Sequence, residues 1–334
     1  MATNVDRSRV IVIGLPHRPF FIVGHPRSGT TLLRFLLSSH PRLYVPEETG
    51  FIPFLVREDR LNAELSLDQV RRIVQRIGRL NRLWHGMVDD LPAFYQALPE
   101  PHLAHVLDAL YRQQLERYGA VRWGDKTPLY IRYIPLLDEL FPTAQFVHLI
   151  RDGRDATLSA LKKWPERHLY MDHFYLLRNW VTNVNAGREA GRTLGPDRYL
   201  ELRYEALVQQ PQQALEQICA FLGESFHPAM LDHTRLAARV GPGPQGHVEV
   251  QEPISTRSVD RWKMDMTAFH LKMANRIAGG TLADLGYERA PVGPFSPAEK
   301  ARFYLLAARY QLARSLRSAL YASGILTLNR DMRR

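Results

Sequence analysis

The chain has 334 residues, 45% of them apolar and 23% charged, with a formal net charge of +10. That length suits one large α/β domain or a domain carrying an insert, and no run approaches the roughly 18–20 apolar residues that a membrane span needs. A single cysteine, Cys219, excludes an intramolecular disulfide and suits a reducing compartment.

Residues 1–17 read as an N-terminal extension. Its apolar patch, Val10–Leu15, is too short for a secretory leader and lacks a small-residue cleavage site, so a cytoplasmic location is expected. Phe20–Val23 is the first strand candidate, followed by Gly24-His-Pro-Arg-Ser-Gly-Thr-Thr31 and a helical pattern around Thr31–Ser39. Strand, glycine-bounded turn and helix N-terminus form a nest of backbone N–H groups backed by a partial positive charge. The usual triphosphate loop, Gly-x-x-x-x-Gly-Lys-Ser/Thr, carries a lysine where this chain has Thr30. The cation lies instead at Arg27, so the loop is expected to hold a phosphate-like group without working as an ATPase does.

Residues 66–118 are helical in pattern and are expected to form an insert capping the acceptor side. Further strands are expected at Ala120–Trp123, Gln145–Ile150 and Arg198–Leu202, with helices around Leu129–Leu140, Asp155–Lys163, Asp172–Ala190 and Pro211–Leu222. This alternation argues for a parallel sheet covered on both faces, with ligands beyond the carboxyl ends of its strands. Gly241–His247 reads as a loop, and a helical pattern resumes near Ala268. Pro291–Pro297 is a linker to a last helix, Pro297–Tyr321, so residues 291–334 separate from a main domain over 18–290. From Glu299 to Arg334 there are eight Lys/Arg and two acidic residues. The rest of the chain is mildly basic, which favours an anionic cosubstrate and gives no sign of a nucleic-acid partner.

Phe146–Trp164, FVHLIRDGRDATLSALKKW, is the second strong signal. Arg151 ends the strand, while Ser159 and Lys163 share one face of the following helix. An arginine fork, a hydroxyl and a cation suit a phosphate monoester.

Pro-Arg-Ser-Gly-Thr-Thr and Arg-Asp-Gly-Arg-x-x-x-x-Ser, in this order, resemble the 5′-phosphosulfate and 3′-phosphate motifs of sulfotransferases that use 3′-phosphoadenosine 5′-phosphosulfate (PAPS). The fold so implied is a three-layer α/β sandwich of the P-loop type with a helical insert. Glu47-Glu48-Thr49 is similar to the Glu-Glu-Thr stretch of the tyrosylprotein branch, which makes Glu48 the implied general base. Gly124-Asp-Lys-Thr-Pro128 resembles the family's lysine element and implies Lys126 as the catalytic lysine. Arg203-Tyr-Glu-Ala-Leu resembles the family's Tyr-Glu-x-Leu segment, which implies Tyr204 near the nucleotide, and Ser258-Val-Asp-Arg-Trp-Lys resembles its late basic-tryptophan segment, which implies Arg261 and, with less weight, Lys263. The serine-rich stretch of the tyrosylprotein enzymes is replaced by Gln245-Gly-His-Val-Glu, and their paired cysteines and membrane anchor are missing, so no residue is carried over there.

The resemblance implies that Arg27 and the loop residues Ser28, Gly29, Thr30 and Thr31 hold the 5′-phosphosulfate. Lys126 would stabilise the leaving oxygen, and Arg151 and Ser159, with Lys163 nearby, would anchor the 3′-phosphate. No metal is expected to be required. Glu48 can return to the loop: the first helix carries the chain about 15 Å away, and Arg42–Glu47 can come back about 18–20 Å at strand rise. His173 and His25 are lesser candidates for the base, and His148, alternating within an apolar strand, reads as a core residue. The acceptor that the resemblance implies is a hydroxyl, whether phenolic or peptidyl tyrosine, sugar or lipid-linked. Two rival functions stay open: a P-loop nucleotide kinase or NTPase dependent on Mg²⁺, and a non-catalytic nucleotide-binding protein indifferent to Glu48 and Lys126. The stripe Leu305, Ala308, Leu312, Leu316, Ala319 is expected to pack on the main domain or a second subunit, with contact to an anionic membrane as the alternative.

Overall fold

The computed structural model describes residues 18–56, 63–167, 171–240 and 248–322. The N-terminal extension and the loop over 241–247 lie outside them. Five strands, β1 (Phe20–Gly24), β2 (Leu43–Tyr44), β3 (Arg122–Lys126), β4 (Gln145–Ile150) and β5 (Tyr199–Arg203), form a parallel sheet in the order β2-β3-β1-β4-β5. β1 is central, with Ile22 opposite Lys126 on one side and Gly24 opposite Leu149 on the other. Every residue of β1, β3 and β4 is buried, as expected of strands covered on both faces.

The chain leaves β1 toward one edge through β2 and β3, then crosses to β4 on the other side. The turn after β1 is therefore the topological switch point, where open parallel sheets bind ligands. The alternation of β1 sends its side chains to opposite layers. Phe21 and Val23 join Trp123, Phe146 and the helices of the insert in one core, while Phe20 and Ile22 join Leu36, Val147, Leu215 and Ile218 in the other.

The helices in chain order are α1 (Thr30–Ser38), α2 (Ile52–Leu55), α3 (Leu67–Leu80), α4 (Leu91–Gln96), α5 (Leu103–Tyr118), α6 (Ile134–Leu140), α7 (Gly153–Lys163) and α8 (His173–Leu194). After β5 come α9 (Tyr204–Gln209), α10 (Pro211–Leu222), α11 (His233–Val240), α12 (Trp262–Asp265), α13 (Ala268–Asp284) and α14 (Pro297–Ala322). The helix expected over Leu129–Leu140 is split into a 3₁₀ turn, Pro128–Arg132, and α6, with Pro135 in the first turn of α6, where its missing N–H costs nothing. The strand expected at Ala120–Trp123 begins two residues later and runs through Lys126, so a third strand end bears a motif. Among the described residues no helix is long and apolar enough to cross a membrane.

α14 lies on the domain by a face other than the expected one. Phe303, Leu306, Ala307 and Tyr310 pack against Phe174, Leu177 and neighbours from α8 and α13. Leu305, Leu312 and Leu316 of the expected stripe point outward, at 71%, 74% and 61% exposure. The aromatic residues decide this, because they bury more area per side chain than the leucines and fit beside Phe174.

Candidate active site

The turn after β1 is built around two left-handed residues. Gly29, the N-cap of α1, has φ +89°, and a Cβ there would lie 2.4 Å from the Tyr204 ring. Arg27 takes φ +73° without being glycine, a strained conformation of the kind found at ligand-gripping turns. Its Nε donates to Ser159 Oγ at 3.1 Å, so the two phosphate motifs touch through their own side chains.

Arg151, at the end of β4, donates through its two terminal nitrogens to the carbonyls of Arg27 (3.0 Å) and Ser258 (2.6 Å). Its guanidinium lies 4.8 Å from the Tyr204 ring centre, and the same ring packs on Gly29. Burial raises the Tyr204 hydroxyl pKa, which keeps the phenol neutral beside this arginine. Two buried polar atoms here, Ser28 Oγ and Arg151 Nε, have no hydrogen-bond partner among the described residues. An orphaned hydroxyl and an orphaned guanidinium N–H beside a helix N-terminus fit an oxyanion.

Glu48 returns to this cleft, as the chain geometry allows. Its Oε2 accepts from Lys126 Nζ at 2.8 Å, with the lysine side chain 4% exposed and the glutamate 28%. Glu47 does not line the cleft, and its charge acts on buried Arg34 behind it.

These groups meet in a cleft of about 1800 Å³ lined by Arg27, Gly29, Thr30, Thr31, Glu48, Arg151, Ser159, Lys163, Tyr204 and Arg261. Ser28 and Lys126 are buried and are not part of that lining. Twelve Lys or Arg and three carboxylates line the cleft among the described residues, a strong bias toward an anionic ligand. None of the described insert residues, 66–118, lines it. Its far wall comes from α8 and α14, through Asn179, Asn183, Leu306 and Tyr310. Arg261 is held by Asp265 one turn on. Lys263 is turned away, bound to Asp260 (3.2 Å) and Glu288 (2.7 Å).

The histidines separate clearly. His25 lines the cleft, but its Nδ1 is within 2.9 Å of Asn183 Nδ2, and burial with Arg132 nearby pushes its pKa down to about 3. It is a poor base near neutrality. His173 stacks on His270 with ring centres 3.6 Å apart and does not line the cleft. His148 is fully buried with Nδ1 2.5 Å from the Tyr199 hydroxyl, the core role its strand position implied.

Not legible in the sequence were Arg132, clamped by Asn183 (2.5 Å) and Asn179 (3.2 Å) on the cleft wall, and the Ser258 carbonyl under Arg151. No local motif signals them, since their partners lie far away in the chain.

A family model described as "Sulfotransferase family" matches residues 19–228. The chain is 26% identical over 279 residues to chicken (Gallus gallus) "Protein-tyrosine sulfotransferase 2", covering 80% of this chain and 69% of the relative. It is 25% identical to "Protein-tyrosine sulfotransferase" of Drosophila melanogaster, covering 77% of this chain but only 49% of that protein. Among solved structures, the sulfotransferase domain of the Synechococcus PCC 7002 olefin synthase is similar at a TM-score of 0.52 and 26% identity, over 79% of this chain and 97% of that domain.

Proposed function

The chain belongs to the sulfotransferase family, and we propose that it moves the sulfuryl group of PAPS to a phenolic hydroxyl of the tyrosyl type. The observation that carries this reading is the meeting, in one cationic cleft, of Glu48 paired with Lys126 and of Arg27 joined to Ser159. The names of the two relatives favour tyrosine over a sugar or lipid-linked hydroxyl.

Arg27, Ser28 and the N–H groups at the start of α1 hold the 5′-phosphosulfate. Arg151, Ser159 and Lys163 hold the 3′-phosphate that separates this donor from ATP. Tyr204 and Arg261 close on the nucleotide. Glu48 takes the phenolic proton as the acceptor oxygen bonds to sulfur. Lys126 stabilises the negative charge left on the phosphate oxygen as its bond to sulfur breaks, and adenosine 3′,5′-bisphosphate departs. In-line positioning and preset cations supply most of the rate, as in phosphoryl transfer.

The test is thermal. Adenosine 3′,5′-bisphosphate should raise the melting temperature without Mg²⁺ and ADP far less, because stabilisation follows affinity. Arg151→Ala should erase the difference, losing about 1.5–3 kcal/mol of binding. Equal stabilisation by ADP, or a strict need for Mg²⁺, would overturn the proposal in favour of a kinase or NTPase.

A further inference from the structure

Both members of the Glu48–Lys126 pair have a neighbour that reaches into the protein rather than into the cleft. Thr49 follows Glu48, and Asp125 precedes Lys126. Asp125 is fully buried at the end of β3, on the face of the strand that carries Trp123. Its carboxylate accepts hydrogen bonds from Thr49 Oγ1 (2.5 Å), from Thr127 Oγ1 (2.8 Å) and from the Tyr111 hydroxyl.

The network continues into the backbone that carries Glu48. Thr49 has one proton to give and gives it to Asp125, so the Tyr130 hydroxyl, 3.1 Å away, donates to Thr49. Ile52 N–H donates to that same Tyr130 oxygen at 3.0 Å, and Gly50 N–H donates to Thr127 Oγ1 at 3.2 Å. From the insert, Asn81 Nδ2 donates to the carbonyl of Glu48 at 3.1 Å. Residues 48–51 form neither helix nor strand, and these side chains hold them in place of a backbone ladder.

A carboxylate at this depth is costly. Among the described residues no Lys or Arg shares its hydrogen bonds, and burial pushes its pKa up to about 6. What the carboxylate adds is direction, because three donors converging on two oxygens fix the segment beside Glu48 against the strand end beside Lys126.

We propose that Asp125, Thr49 and Tyr111 form a positioning unit that sets the Glu48–Lys126 pair. Through Tyr111 on α5 and Asn81 after α3, the helical insert acts on the reaction without touching substrate. This rests on the roles given above to Glu48 and Lys126. Three-way contact explains why the insert, which lies outside the cleft, packs its one buried phenol against the Trp123 ring (centres 4.1 Å apart) with the hydroxyl aimed at Asp125.

The decisive measurement is the crystal structure of Thr49→Val beside that of the wild type, with Tyr111→Phe as a second, independent variant. Each removes a hydroxyl and keeps the side-chain bulk. The expected result is a Glu48–Lys126 separation beyond about 4 Å, the limit of an ion pair, with the sheet unmoved. In turnover with radiolabelled PAPS and 4-nitrophenol, kcat should fall about 10–100-fold, the penalty for a misplaced reacting group, while the KM for PAPS stays within about twofold. Thr49→Ser should restore most of it, and Thr49→Val should add nothing in a Glu48→Gln background, because the two changes act on one event. A pair that stays at wild-type distance in both variants, with only a lower melting temperature, would reduce the network to fold stability and sink the proposal. That outcome leaves Glu48 as base untouched. Near-normal turnover in Glu48→Gln would instead remove the base and leave the distance test standing.

Discussion

Glu48 and Lys126 are 2.8 Å apart, and this closeness gives the glutamate two conceivable duties: taking the acceptor proton, or neutralising the lysine until the donor arrives. Glu48→Gln distinguishes them, since glutamine can still accept a hydrogen bond from Lys126 but cannot take a proton. With general-base catalysis worth about 10²–10⁴-fold and a phenol whose pKa is near 10, turnover should fall by about that factor while PAPS affinity is retained. Glu47→Gln, facing Arg34 behind the cleft, should lose little. Tighter PAPS binding with near-normal turnover in Glu48→Gln would assign the residue to neutralisation instead, and loss of PAPS binding would mean that it holds the loop in shape. His25 cannot stand in as base, because burial leaves it neutral and weakly basic. Glu48 and Lys126 were legible because each lies inside a contiguous motif, Lys126 at the end of β3. Thr49 and Asp125 stand in the same motifs, yet their meaning comes from Tyr111 and Tyr130, which share no spacing rule with them.

At the level of elements, the strand–turn–helix unit from Phe20 to Ser38 was readable because an apolar run, a left-handed glycine and a helical stripe follow one another without interruption. β2 was not readable: two residues carry no period, and only pairing with Arg122 and Trp123 defines it. β3 runs on to Lys126, past its expected end at Trp123, because its polar end, Gly124-Asp-Lys, looks like a loop until Asp125 and Lys126 find buried partners. α14 was found, but its packed face was not, since a leucine stripe and an aromatic stripe compete on one helix and only the surface below decides. Gly29 turns this into a prediction. A Cβ there must adopt φ +89° and enter the Tyr204 ring. Gly29→Ala should cost about 1–2 kcal/mol for the left-handed backbone and about 1–3 kcal/mol more for overpacking. Urea unfolding of Gly29→Ala, Tyr204→Ala and the double variant separates the two, because truncating Tyr204 should relieve the steric part of the glycine change and leave the backbone part. A double variant whose loss equals the sum of the single losses would show that the ring is no obstacle.

Across the whole molecule, the three-layer packing that gathers the site also buries ionisable groups of opposite sign, and together they shape its response to acid. His25 and His148 are pushed down to about 3 by burial, and His233 and His270 are lowered as well. The unfolded chain therefore takes up protons near pH 6.5 that the folded chain refuses, and stability falls as pH drops through that value. Asp125 and Asp155 act in the opposite sense, because burial raises both to about 6. The folded chain protonates them first, so between about pH 6 and the unfolded value of 3.8 they offset part of the histidine loss. The net expectation is an unfolding free energy that declines from pH 6.5 downward, more gently between 6 and 4 than the histidines alone would give. Single variants separate the opposing sets. His148→Gln should flatten the decline by about 1.4 kcal/mol per pH unit, one proton's worth, and Asp125→Asn should steepen it by about the same slope between pH 6 and 4. Urea titrations at half-unit steps from pH 7 to 4 read both slopes directly. If His148→Gln parallels the wild type throughout, the imidazole is protonated with the rest of the chain, and burial with Arg188 nearby does not hold it neutral.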